Sequence, residues 1–486
     1  MIKKFFFFIV PVMMSITGWT QKTVFTYPEV GGKDYSIISI ACINEKDKTL
    51  CLGLKDNTKI EYFLFSPEFK LISKVSPSDG LKKTAYAFEK QQLMKAIVNN
   101  TGFNFIYWAR DKKVFNNAPF ITVQTINFDK KEVSLNNSFI IADEESWIEN
   151  FTSGNKYYGV LCNKKTDQLI INTLNADGKT ERKTIFFGLE NFYKAKNVNL
   201  FDYFFFSRDF TPSQETGLKE GSDLAKFFAY PDKAVITVQK DKEPPHILNL
   251  DLATMTLTKK KLSMDGFCGF AGKKQPFYNN AYIFDSNLYV LNVCKDMIEI
   301  GIFNPETGAL LKHHQILESD EAFFDATSSR VIGQNEKEKE LKTKELIKKM
   351  MRGSLGIVAA KNRNGNVVLT CGTYDDTQFN GGGYYVGGFT AGTQNFDPNK
   401  HYNQGKSNKI TLVTSFKIVL DKEKLTLLPG QDVESRYDKI QDYSQNFQPT
   451  AQANSRYLFP FNGKLYFGFY DAAKKAYLIQ YLEDDK

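Results

Sequence analysis

The reading of the fold turns on the last strands of the chain, Leu465-Tyr466-Phe467-Gly468-Phe469 and then Tyr477-Leu478-Ile479-Gln480-Tyr481-Leu482. Two aromatic-rich runs joined by a polar turn make a hairpin unit. The unit recurs along the chain, and here it ends one strand short. A candidate for the missing strand lies at the other end of the sequence, where Val24–Tyr27 reads as a strand with no partner before it. Laying Val24–Tyr27 beside Tyr477–Leu482 would close a ring. It would also hide sheet edges that otherwise offer unpaired N–H and C=O groups.

Earlier copies of the unit share its chemistry. Ile60–Phe65 runs into Ser66-Pro67-Glu68, Phe120–Phe128 into Asp129-Lys130-Lys131, and Leu169–Leu174 into Asn175-Ala176-Asp177-Gly178. Ile247–Leu250 runs into Asp251-Leu252-Ala253-Thr254, Ile298–Phe303 into Asn304-Pro305-Glu306-Thr307-Gly308, and Ile410–Leu420 into Asp421-Lys422-Glu423. Asp, Asn, Pro and Gly each satisfy a particular turn geometry, so these junctions are hairpin signals. The strands are preceded by partners at Leu50–Leu54, Phe105–Trp108, Tyr158–Cys162, Ala234–Val238, Leu288–Val293 and Val367–Thr370. The spacing, about 50 residues where nothing intervenes, suits four-stranded units. With 42 Phe and 24 Tyr among 486 residues, composition favours strands over helices.

This pattern resembles that of the β-propeller superfamily. The resemblance implies an all-β chain, a seven-bladed β-propeller closed by an N-terminal strand, spanning residues 21–486 as one domain. It is a likeness of pattern and carries over no functional residues. Lys3 and Lys4 before the apolar run Phe5–Ile16, with Gly18 and Thr20 behind it, read as an export signal over residues 1–20, cut near Thr20–Gln21. The expected location is therefore periplasmic or extracellular. No later run is apolar enough to span a bilayer as a helix. The net charge of +8 is spread along the chain, which gives no basis for nucleic-acid binding.

Four insertions interrupt the repeat, at 200–229, 333–353, 375–409 and 430–455. The second reads as the one inserted helix, at about 336–352, with Asn335 as N-cap, Glu338 three residues on and Gly353 ending it. The third combines glycines with aromatics. Tyr384, Tyr385, Phe389, Phe396, His401 and Tyr402 are its candidate partner-binding residues, since flat rings on a pliable backbone suit a sugar ring or a protein surface.

The six cysteines fit no zinc spacing, and no metal or cofactor is expected. Cys42 and Cys51 flank one turn and form a possible disulfide, with Cys268 and Cys294 as a second. The alternative for each is a small buried apolar side chain. Neither a nucleophile elbow nor a calcium loop is present. The reading therefore leans away from catalysis, towards an exported binding scaffold for a protein or glycan partner. Two alternatives stay open: a carbohydrate-active hydrolase or lyase using carboxylates at the propeller mouth, and a structural subunit of an envelope assembly.

Overall fold

The computed structural model describes residues 21–28, 38–55, 59–78, 92–110, 119–163, 165–193, 198–204, 207–212, 214–240, 243–270, 276–320, 330–333, 336–377, 410–431, 433–435, 438, 457–471 and 473–482. These residues form seven sheets. Strand β1 (Gln21–Tyr27) is set aside for the moment. Sheet 1 runs β2 (Ile38–Asn44), β3 (Thr49–Lys55), β4 (Ile60–Phe65), β5 (Leu71–Val75). Sheet 2 runs β6 (Gln92–Val98), β7 (Phe103–Arg110), β8 (Pro119–Asn127), β9 (Glu132–Ile140). Sheet 3 runs β10 (Glu145–Ser153), β11 (Lys156–Asn163), β12 (Gln168–Leu174), β13 (Thr180–Phe186). Sheet 4 has five strands: β14 (Ser207–Phe210), β15 (Ala225–Ala229), β16 (Lys233–Val238), β17 (His246–Asp251) and β18 (Leu257–Lys261). Sheet 5 runs β19 (Phe277–Phe284), β20 (Asn287–Cys294), β21 (Met297–Phe303), β22 (Leu310–Leu317).

Sheet 6 departs from simple order. Its outer strands, β23 (Arg330–Gly333) and β24 (Glu336–Glu340), precede its inner three, β25 (Ser354–Lys361), β26 (Val367–Thr377) and β27 (Ile410–Leu420). Sheet 7 holds β28 (Tyr457–Phe461), β29 (Lys464–Asp471) and β30 (Ala476–Leu482), and its fourth strand is β1. β1 pairs antiparallel with β30, from Gln21↔Leu482 to Tyr27↔Tyr477.

Recurring Asp and Asn residues make the turns. Asp251, Asn304 and Asp421 each accept backbone N–H bonds from residues two and three positions on, fixing the reversal into the next strand or bridge. The outermost strands are largely exposed and carry charge, as in Lys259-Lys260-Lys261 of β18, which discourages pairing with other chains.

Each core lies between sheets, not within one. Separate apolar clusters join sheets 1 and 2, 2 and 3, 3 and 4, and 4 through 6. A further cluster joins sheet 7 to sheet 1: Phe69 stacks on Tyr466 at 4.3 Å, and Asn462 Nδ2 donates to Pro67 O at 3.0 Å. Strands β28, β2, β6, β10 and β15 succeed one another in contact, and β19 contacts β25. Lys226 Nζ links β15 to β19 through Asn280 Oδ1 at 2.6 Å. One strand of each sheet, β2, β6, β10, β15, β19, β25 and β28, thus lies along a common axis.

Two expectations are corrected. The helix expected over 336–352 occupies only Thr343–Met350, after Lys342, and residues 336–340 form β24. Glu-Lys alternation suits an edge strand, and β24 pairs with β23. The helix begins only where Leu346, Ile347 and Met350 supply a buried 3.6-residue stripe. Among the described residues three single-turn helices also occur, at Leu189–Phe192, Leu200–Tyr203 and Leu218–Gly221. Cys42 and Cys51 stand directly opposite on β2 and β3 but remain separate buried thiols. Burial pushes the Cys42 thiol up to about 12. The bonded pair is Cys268–Cys294, with Cα atoms 6.3 Å apart.

Candidate functional site

Four successive strands along the axis carry a polar residue at one level. Lys95 on β6, Glu149 on β10, Lys226 on β15 and Asn280 on β19 each stand four residues before the one that opens the turn into the second strand. Those turn residues are Asn99, Ser153, Tyr230 and Phe284. The belt is buried: Lys95 and Glu149 are 4% exposed and Lys226 1%. Charged side chains are almost never so buried unless something holds them. In β6 and β10 the register slips just before the charge, between Leu93 and Lys95 and between Trp147 and Glu149. Such bulges re-aim the side chain that follows.

What fills the belt is the chain itself. The segment Ser207–Leu224 falls within the insertion expected at 200–229. It enters as β14, which lies along β15 in parallel, from Ser207↔Ala225 to Phe210↔Phe228. Ser207 Oγ donates to Ile148 O of sheet 3 at 2.6 Å. Asp209 takes Lys95 of sheet 2 in a 2.6 Å ion pair. Pro212 O accepts from Asp285 N at 2.7 Å and Gln214 O from the Tyr282 hydroxyl at 2.8 Å, both of sheet 5 or its first turn. Glu215 then accepts from Lys361 N of sheet 6 at 3.0 Å. The segment therefore crosses the axis and touches five sheets.

Its single helical turn, Leu218–Gly221, packs on β25 and β26 so closely that glycine is required. A Cβ on Gly221 would sit 2.2 Å from Val358 Cγ1 and 2.7 Å from Ile357 O, and one on Gly356 2.8 Å from Leu218 O. Gly221→Val is expected to lower stability by about 2–3 kcal/mol through overpacking, read as a lower urea midpoint at unchanged slope.

The electrostatics follow from burial. Asp209 neutralises Lys95, and Arg208 Nε pairs with Asp223 at 2.5 Å. Glu149 differs: its Oε1 accepts only from its neighbour Asn150, through N at 2.9 Å and Nδ2 at 3.4 Å. Burial, with the negative charge of Asp209 beside it, pushes its carboxyl up to about 8. Lys226 Nζ donates to two neutral oxygens, Asp223 O and Asn280 Oδ1, each at 2.6 Å. Burial pushes it down to about 7. Burial likewise raises the carboxyls of Glu220 and Asp223.

A cavity of about 290 Å³ opens between sheets 1, 2 and 3, walled by residues 40–43 of β2, 94–98 of β6 and 152–155 around the end of β10. Lys95 stands in its wall. Among the described residues no group of three His, Cys, Asp or Glu could hold a metal ion, and no helix is long and apolar enough to cross a membrane.

Tyr384, Tyr385, Phe389, Phe396, His401 and Tyr402 lie outside the described residues. Their insertion leaves from the tip of an 11-residue hairpin, where β26 and β27 pair as far as Thr377↔Ile410. The belt was not anticipated from sequence. Its signal was present as a lone Lys or Glu inside the apolar runs Leu93–Val98, Trp147–Phe151 and Ala225–Ala229.

No family model matches the chain, and no curated protein matches it in sequence. Solved structures similar to it include the Dos1 propeller (8% identity, 96% of this chain and 95% of that one, TM-score 0.34). The Nup133 β-propeller domain of Vanderwaltozyma polyspora is another (8% identity, 70% and 82%, TM-score 0.28). A third comes from a study of two prolyl endopeptidases (9% identity, 93% and 51%, TM-score 0.37). The chain spans about half the length of that endopeptidase. Seven sheets of mostly consecutive antiparallel strands among the described residues, each with one strand along a common axis, carry the fold by themselves: it is that of a β-propeller.

Proposed function

We propose that the chain is an exported, seven-bladed propeller, closed by β1 in its last sheet, that serves as a non-catalytic binding scaffold for a protein or glycan partner. The observation that carries this reading is the filled axis. Two carboxylates that might have worked at the propeller mouth are tied to the chain itself, Asp209 to Lys95 and Asp223 to Arg208, while Glu149 accepts only from Asn150. Rigid sheets with an inserted, aromatic-rich hairpin tip form the usual plan of a binding module. Closure is supported by the β1–β30 ladder and by the cluster joining sheets 7 and 1.

Deleting Asn380–Asn403 tests the reading. Capture from a glycan array, or of an envelope protein in a pull-down, should be lost while the melting temperature stays within about 2 °C of wild type. Capture that survives the deletion would remove the hairpin tip from the proposal. Polysaccharide turnover by the wild type, abolished in Glu149→Gln, would replace the scaffold with the carbohydrate-active alternative.

A further inference from the structure

We propose that the segment Ser207–Leu224 is a pH-sensitive latch on the propeller axis, seated over the buried acid Glu149 and the buried amine Lys226, neither of which has an ion-pair partner among the described residues. The argument begins with partners. Glu149 is a buried acid that accepts only from Asn150, and no cation among the described residues lies within ion-pair distance of it. Lys226 is a buried amine whose two acceptors are both neutral. A buried charge without an opposite partner costs several kcal/mol, and a neutral form is the cheaper resident.

The groups facing these two side chains come from every neighbouring element. Glu149 faces Lys95 of β6, Arg208 and Asp209 of β14, and Tyr157 of β11. Asp209 is spent on Lys95, so the nearest cation answers to another acid. Lys226 faces Asp223, at the end of the segment, and Asn280 of β19. Asp223 in turn is shared with Arg208, with Lys219 nearby. Segment and belt thus enclose Glu149 and Lys226 without an ion-pair partner among the described residues, while Glu220 of the segment is a further carboxyl that burial raises, beside Arg208. Near neutral pH, closure converts the Glu149 carboxylate into a carboxylic acid and the Lys226 ammonium into an amine, and the raised carboxyls of Glu220 and Asp223 add to proton uptake on the acid side.

The pH dependence follows from linkage. Seated, Glu149 keeps its proton up to about pH 8, where an ordinary glutamate loses it near 4.5. Between those values the seated form binds the extra proton, so raising pH loosens the latch. Seated, Lys226 is neutral above about pH 7, where an ordinary lysine stays charged to 10.5. Over that range the open form binds the extra proton, so raising pH tightens the latch. The latch is loosest between the two arms, close to pH 7–8.

Hydrogen exchange of the full chain, corrected for intrinsic rates, tests this on peptides covering 207–224. Protection should fall about tenfold from pH 5.5 to 7.5 and recover by pH 9.5, each proton giving up to tenfold per unit. Peptides from β20 and β21 should hold constant protection. Glu149→Gln should reduce the acid arm and leave the alkaline arm in place, and Lys226→Met should remove the alkaline arm alone. A flat wild-type profile, an acid arm undiminished by Glu149→Gln, an alkaline arm that survives Lys226→Met, or β20 and β21 following the same course would each overturn the latch.

Discussion

Asp209→Ala is expected to destabilise the protein by about 3–5 kcal/mol, read by urea denaturation at pH 7. The reason is what it leaves behind. Lys95 is almost wholly buried, and its ammonium donates to Asp209 at 2.6 Å. Without the carboxylate its ion pair is gone, and the remaining acid that faces it, Glu149, makes no ion-pair contact with it, so the charge is poorly compensated in the interior. The double variant Lys95→Met/Asp209→Leu should regain most of the loss, because a buried pair replaced by apolar groups of similar volume is often neutral. If Asp209→Ala and the double variant lose the same amount, the ion pair is not what seats the segment.

Glu299→Leu should have an effect of the same size by a different route. Glu299 is completely buried on β21. One oxygen accepts from Cys268 N and Asn292 Nδ2, both at 2.8 Å. The other accepts from Gln315 Nε2 at 3.1 Å and faces His313 Nε2 at 3.2 Å. Leucine orphans several buried donors at once, each costing about 1–3 kcal/mol. A total loss near 4 kcal/mol is expected, with faster exchange in the turn Met264–Phe270 that Glu299 holds against sheet 5. Exchange there that is unchanged would show that the Cys268–Cys294 bond alone holds the turn.

The two predictions rest on residues that the sequence revealed to different degrees. Strands and turns were legible because local chemistry decides them: Asp251, Asn304 and Asp421 make the same turn wherever they recur. The partnership of Val24–Tyr27 with the last strand was legible from strand arithmetic. The helix was drawn too long because Glu-Lys alternation reads equally as a solvated helix or an edge strand, and only β23 beside it settles the matter. β14 could not be read at all. Ser207-Arg208-Asp209-Phe210 has no alternation, and its parallel pairing with β15 depends on a return path across the axis. Lys95 and Glu149 were visible as charges in apolar runs, but bulges break the period-two rule at those places, so their direction was hidden.

The pairing of β1 with β30 has a consequence for the order of events in folding. Sheets 1 to 5 are built from strands near in sequence and can form as the chain emerges from the ribosome. Sheet 7 cannot, because Gln21 must wait for Leu482. Until then β1 is an unpaired strand with Val24, Phe25 and Tyr27 uncovered, and the sheet 1 face that will meet Phe459 and Tyr466 stays open. Loop closure over the whole chain makes this step slow relative to the local hairpins. The interval between the first strand and the last is when the nascent chain is most exposed to aggregation, and when a holding chaperone would matter most.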